Sequence, residues 1–299
     1  MTRRDRAATP DASAVSPTIV ASGPPITSVR GHCWYLGGEV QGGERALRAA
    51  IRERIERRVD VIKIMVSGGV LTASTDVMSC QFCDDDLRLL VDQAHRAGLP
   101  VTAHAHGLQA VEQAVAAGVD GIEHGSCVTP TGAHVPASLL DRLAERGIAV
   151  CPTILATMAG ISRSPTESAF IQRFGLTGEA VQAHIAQMHR AGARIVAGTD
   201  GGIATAKPHG IVHAAISGLV ASGVCAAQAL AAATSTAAQV CGLGGRKGRL
   251  RAGYDADLLL VDGDLLSDTS ALTRPAAVMV HGRWAAGRST TEWRALGQP

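Results

Sequence analysis

The chemistry of this chain rests on a small set of residues placed at the ends of apolar runs. Lys63 lies within VDVIKIMVSGGV, His104 and His106 within PVTAHAHG, His124 within GVDGIEHG and Asp200 within VAGTDGG. Each run is short and rich in small or β-branched residues, and a glycine-containing turn follows. Neutral imidazole is the commonest zinc ligand, and a carboxylate completes a borderline-hard site. One such histidine is more often a satisfied core or loop residue than a ligand. Several together, all at expected strand C-termini, are hard to explain by packing.

Lys63 is the odd residue. The chain carries 28 Lys+Arg, yet lysine occurs only at 63, 207 and 247. A lysine amid VIKIM is bound for a core, where an ammonium costs several kcal/mol unless paired or neutralised. Two readings stand. The stem lies along the strand while the ammonium reaches a carboxylate, or the neutral amine has taken up carbon dioxide as a carbamate, an anionic oxygen ligand.

The elements that position these residues repeat as helix, glycine, strand and loop. The sequence predicts helices over 44–58, 85–97, 108–117, 136–146 and 179–191. Gly98, Gly118, Gly147 and Gly192 close the last four, and Asp84 caps the second. Strands follow at 59–66, 99–103, 119–123, 148–151 and 194–197, with a further short strand at 18–21. That rhythm is a parallel βα array, an α/β fold of TIM-barrel-like form with chemistry at the strand C-termini. Beyond Asp200 two helical stretches, 210–221 and 226–241, precede a change of character. LLLVD and AVMVH, near 257 and 280, have no long helix between them and fit a small antiparallel sheet.

Composition narrows the function classes. At 299 residues, with 46% hydrophobic and 18% charged residues, the chain suits one barrel-sized domain plus an appendage. A net charge of +2 without a basic run argues against a nucleic-acid partner. No run approaches a membrane span or a secretion signal. Seven scattered cysteines indicate a reducing, cytoplasmic setting. Cys80 and Cys83 form a lone CxxC, read as two loop cysteines before a helix rather than a zinc or redox pair. Residues 1–17 read as a disordered leader, 18–247 as the barrel and 248–299 as the small β-domain and tail.

KIMVSGG, TAHAHG, IEHG, AGTDGG and GRLRAGYDADLLLVD, in that order, resemble the amidohydrolase superfamily of metal-dependent hydrolases. More narrowly, they resemble its prolidase-like, arginine-carboxypeptidase-like and ochratoxinase-like branch. The lysine of KIMVSGG separates that branch from the imidazolonepropionases, and the spacing of Lys63, His104 and His124 is in its register. The resemblance implies a carboxylated Lys63 bridging two ions, His104 and His124 on one of them, and Asp200 on the other as proton shuttle. The ions are divalent, with zinc first and manganese or cobalt as alternatives. The implied reaction is hydrolysis of an amide or peptide-like C–N bond, in a dipeptide or N-acyl amino acid, by a metal-activated hydroxide. His106, His32 and His209 are candidate substrate contacts, with Glu39 a weaker one.

The pattern also departs from the family. The superfamily opens its barrel with a strand ending in His-x-His, and the first histidine here is His32. The barrel is therefore expected to lack its first strands. Its open edge invites pairing with a second copy or another chain. Alongside the hydrolase stands a second reading: an inactive binding or assembly subunit that keeps the fold.

Overall fold

The computed structural model describes residues 16–153, 163–204 and 206–287. Most of the expected leader, residues 1–15, and the tail from 288 lie outside them. The central sheet is parallel and runs β3 (Ile62–Met65), β4 (Val101–Gly107), β5 (Gly121–Thr129), β7 (Ala149–Cys151) and β8 (Arg194–Ile195), with the short β6 (Gly132–Ala133) hung on β5. Among the described residues β8 and β3 do not pair, so the sheet is an arc rather than a closed ring.

Alternation along the strands decides what reaches the site, because successive side chains point to opposite faces. On β3, Ile62 and Ile64 are fully buried in the core, while Lys63 and Met65 line a cleft. On β4, Val101, Ala103 and Ala105 are fully buried in the same core, and His104 and His106 line the cleft. Register couples the strands: Lys63 lies opposite Thr102, Met65 opposite His104, and Ala105 opposite His124. The core therefore fixes the chemistry from behind.

Helices cover the outer face. In Asp84–Arg96, Leu87, Leu90, Val91 and Ala94 are buried on one stripe, as spacings of three and four residues require. Burying each leucine contributes roughly 1.5–3 kcal/mol. Gly98 and Gly118 follow their helices at φ 71° and 84°, a left-handed conformation that glycine adopts without a Cβ penalty.

Several expectations need correction. No strand forms at 18–21. The stretch is held instead at Ala21, whose carbonyl accepts the Asp60 N–H at 2.8 Å and whose N–H donates to the Asp60 carboxylate at 2.9 Å, and beyond Pro24-Pro25 an isolated bridge joins Ile26 to Ile64. Asp84 is not the cap: Cys83 holds that position, and the Asp84 carboxylate accepts from Gln113 Nε2 at 2.8 Å. The expected 226–241 helix breaks at Thr234 (φ −124°, ψ −92°), giving Ala226–Ala233 and Ser235–Val240. There the Thr234 hydroxyl donates to the Leu230 carbonyl at 2.7 Å, the competition with backbone bonding that disfavours threonine within helices.

Strands β4 and β5 run further than expected and include the histidines themselves. The C-terminal sheet has three antiparallel strands rather than two, ordered β11 (Arg283–Gly287), β10 (Pro275–Val280) and β9 (Leu258–Val261). Two further strands, β1 (Thr27–Ser28) and β2 (Glu39–Val40), form a parallel pair beside β3. A helix at Pro165–Phe174 was not anticipated. Its Ser164–Glu167 capping box was present in the sequence as its signal.

Candidate metal centre

A cleft of about 420 Å³ opens at the C-terminal ends of the strands. It gathers Lys63, His104, His106, His124, His32 and Asp200. His209 is not among the lining residues: it is exposed, and its imidazole sits against Gly202, where a Cβ would meet it at 2.5 Å. Glu39 is likewise outside, exposed on β2 and accepting the Arg30 N–H.

His104 and His124 face each other, with Nδ1 of the first 3.0 Å from Nε2 of the second. Their outer nitrogens are tethered. His104 Nε2 lies 3.1 Å from the Gly68 carbonyl oxygen, and His124 Nδ1 lies 2.7 Å from Thr153 Oγ1. An N–H donated to Gly68 leaves the Nδ1 lone pair of His104 directed at His124. This is the tautomer-fixing contact that metal-ligating histidines ordinarily make. His106 stacks on His124 at 4.4 Å with an interplanar angle of 11°, and its Nδ1 lies 3.0 Å from Ser126 Oγ. Ligand atoms of His104, His106 and His124 all fall within 4.8 Å of one another. His106 thus joins the cluster; its spacing two residues after His104 on one strand face was the signal for this.

Electrostatics keep these rings neutral. Burial, then the neighbouring His106, His32 and Lys63, holds His104 well below the usual imidazole range. Burial and then His106, His104, Lys63 and Lys207 do the same for His124. Burial, followed by His32, Lys207 and Lys63, pushes His106 down to about 3. A neutral imidazole has a free lone pair, so the donors suit a divalent cation. Two ligands of one zinc at about 2.0–2.1 Å each stand roughly 3.4 Å apart in a tetrahedron, close to the observed 3.0 Å.

Lys63 is half-buried beside this cluster, and among the described residues no ion pair joins it to a carboxylate. Asp200 is instead bound to Lys207, Oδ2 to Nζ at 3.2 Å, and does not join the histidine cluster. Cys33, His124, Thr153 and Asp200 all line the cleft with φ between 48° and 67°. Non-glycine residues held there cost of order 1–3 kcal/mol each and concentrate at functional sites.

Val70, Leu71, Phe170, Ile171, Leu176 and Ile203 give the cleft an apolar lining, with the Phe170 ring 5.3 Å from that of His106. A second ligand-like group, Asp255, Asp257 and His281, lies in the C-terminal sheet region. Lys247 binds both aspartates and Arg246 binds Asp255 at 2.6 Å, so those carboxylates are already neutralised. Cys80 and Cys83 are free thiols in the loop and at the helix cap.

A family model described as the amidohydrolase family matches residues 2–285. Ochratoxinase of Aspergillus niger is 26% identical over 297 residues, covering 90% of this chain and 59% of that protein. An uncharacterized protein of Mycobacterium tuberculosis is 29% identical over 246 residues, covering 80% and 62%. The chain therefore spans about six-tenths of the length of these curated relatives. Among solved structures, a Xaa-Pro dipeptidase with bound methionine in its active site superposes with a TM-score of 0.80 at 27% identity, covering 95% of this chain and 72% of that one.

Proposed function

We propose, from the premise that the chain belongs to the amidohydrolase family, that it hydrolyses an amide or peptide-like C–N bond with a divalent metal, zinc first, held by Lys63, His104 and His124. The family's TIM-barrel-like α/β fold and its action on C–N bonds are common ground with ochratoxinase and the dipeptidase. The observation that carries the assignment of residues is the 3.0 Å approach of two tethered, neutral imidazole nitrogens beside a lysine that has no carboxylate partner among the described residues. Carbamate formation joins the Lys63 nitrogen to the carbon of carbon dioxide. From the ammonium form the step makes one N–C bond and releases two protons to solvent, turning a cation into an anionic oxygen donor.

A bound divalent ion supplies polarisation of the carbonyl and an acidified water. The chain's own groups do the rest. Asp200 takes a proton at its carboxylate and returns it to the leaving nitrogen, a general-base then general-acid role. To do so it exchanges its contact with Lys207. The apolar wall around Phe170 and Leu71 takes an acyl or side-chain group and keeps water from it. His106 and His32 stand where substrate passes. The three-stranded C-terminal sheet is read as the small β-domain, and the open β3–β8 arc as a surface for a second copy or another chain.

The pairing of Asp200 with Lys207, away from the histidines, favours a second reading: a binding subunit without turnover. A panel of dipeptides and N-acyl amino acids, tested after incubation with zinc and bicarbonate, separates the two. Turnover that Lys63→Ala lowers by at least about a hundredfold supports the hydrolase, in line with loss of a metal-site group. Substrate binding with no turnover in zinc, manganese or cobalt supports the subunit.

A further inference from the structure

Lys207 is the cation of the cleft to which the assignment above gives no task. Its side chain is 14% exposed and lines the cleft, and among the described residues its ion-pair partner is Asp200, 3.2 Å away and 40% exposed. We propose that Lys207 sets substrate specificity: when Asp200 turns to the reaction, the Lys207 ammonium takes in its place a carboxylate carried on the leaving-amine side of the substrate. The proposal rests on the hydrolase reading.

A proton taken by Asp200 removes the charge with which Lys207 is paired, and a mostly buried ammonium left alone is costly. Among the described residues the cleft offers no replacement. Glu167 is the other carboxylate that lines it, and its Oε2 already accepts the Ser164 N–H at 2.9 Å and the Ser164 hydroxyl at 2.7 Å. The carbamate proposed at Lys63 is committed to the metal. The substrate is the remaining source of an anion. An ammonium has three donors, and Asp200 engages one of them. The turn that carries Lys207 is braced: the Gly202 N–H donates to its carbonyl at 2.6 Å, and its own N–H donates to the Ala204 carbonyl at 2.8 Å.

Position decides which end of the substrate bears the carboxylate. Lys207 reaches Asp200, the group that returns a proton to the leaving nitrogen, and its charge is felt by His106 and His124 in the same cleft. In an α-amino acid the carboxyl carbon stands about 2.5 Å from the nitrogen. A cation beside the proton donor to that nitrogen is therefore beside that carboxylate as well. A carboxylate on the acyl part would lie across the scissile bond, toward the apolar lining of Phe170 and Leu71. The substrate class is thus an N-acyl α-amino acid, or a dipeptide with a free C-terminus, and a carboxamide in that place is discriminated against. Hydrolysis puts the hydroxyl of water on the acyl carbon and its proton on the nitrogen, and the amino acid departs with its carboxylate.

Binding distinguishes this exchange from an ion pair that merely holds the loop, and it needs no turnover. The probes are N-benzoyl-L-leucine, N-benzoyl-L-methionine and N-benzoyl-L-alanine, each compared with its own carboxamide by calorimetry. The parent is the full chain carrying Lys63→Ala, which silences turnover and takes the second lysine out of the cleft. It is expected to bind the acids about 10–100-fold more tightly than the carboxamides, the range of a hydrogen bond to a charged group. Lys207→Met brings that ratio to about one, while Lys207→Arg keeps most of it and Arg163→Met leaves it in place. Asp200→Asn removes the competitor for the ammonium and tightens acid binding, a gain that a merely structural pair does not produce. Thermal melts check that each variant is folded. An acid preference that survives in folded Lys207→Met overturns the proposal. So does acid binding weakened by Asp200→Asn, or a parent that binds the acids no better than the carboxamides. Benzoate release by the unsubstituted chain after incubation with zinc and bicarbonate is read apart: no release, with the binding pattern as expected, removes the hydrolase reading and leaves the carboxylate contact of Lys207 standing.

Discussion

Replacing Thr153 by valine isolates what orients His124. The hydroxyl is 2.7 Å from His124 Nδ1, and Thr153 sits at φ 48°. Valine is also β-branched and nearly isosteric, so it inherits the same backbone strain, and the difference reports the hydrogen bond alone. A neutral hydrogen bond contributes about 0.5–1.5 kcal/mol net. Partners that orient a metal-bound histidine affect affinity by roughly 10–100-fold, or about 1.4–2.7 kcal/mol by the conversion of ten-fold per 1.36 kcal/mol. The ranges meet near 1.4 kcal/mol, so zinc affinity should fall about ten-fold. Competition against a chromophoric chelator measures it, with denaturant unfolding of the metal-free forms as a control. Ser126→Ala, which removes the partner of His106 Nδ1 at 3.0 Å, is the comparison for the third histidine. Zinc affinity of Thr153→Val within about two-fold of the parent would refute the claim that this contact sets a ligating tautomer.

Two other predictions concern the metal-free protein. Burial and then Lys63 push His32 down to about 4 from its ordinary 6.5, so the unfolded chain binds the proton that the folded one refuses. The His32 contribution to stability is full above pH 6.5 and is lost as pH falls toward 4, by about 3 kcal/mol in all. Urea unfolding from pH 7 to 4.5 should show a shallower slope in His32→Asn than in the parent; parallel slopes would contradict it. Gly69→Ala should destabilise by about 1–3 kcal/mol through its clash with the His32 ring. That cost should largely vanish in a His32→Ala background, and an undiminished cost would show that the clash lies elsewhere.

Much of this architecture was legible because it follows from alternation. Lys63 in VIKIM and His104 in TAHAHG sit between residues of opposite facing, and the structure puts Ile62, Ile64, Ala103 and Ala105 in the core. Helix, glycine and strand repeats could be read for the same local reason. What was not legible depends on contacts distant in sequence. The stretch at 18–21, expected as a strand, is held instead by Asp60, 39 residues from Ala21. Asp200 follows β8 as the motif suggests, but Lys207, on the same loop, claims its carboxylate. The Thr72 and Gln81 clamps on His32 span 40 and 49 residues, and no local pattern announces such partners. His209 looked like a pocket residue from its PHG setting, yet the turn at Gly202 and Gly210 carries it outward.

The central claim is that Lys63, His104 and His124 hold a metal ion, and elemental analysis of the purified chain tests it most directly. After incubation with zinc and bicarbonate, the account predicts at least about one tightly held ion per chain. Lys63→Ala and His124→Ala should each lose that ion, while their metal-free forms unfold at nearly the metal-free parent's denaturant midpoint. A chain that holds no metal under those conditions, or one whose metal content is indifferent to Lys63→Ala and His124→Ala, would contradict it.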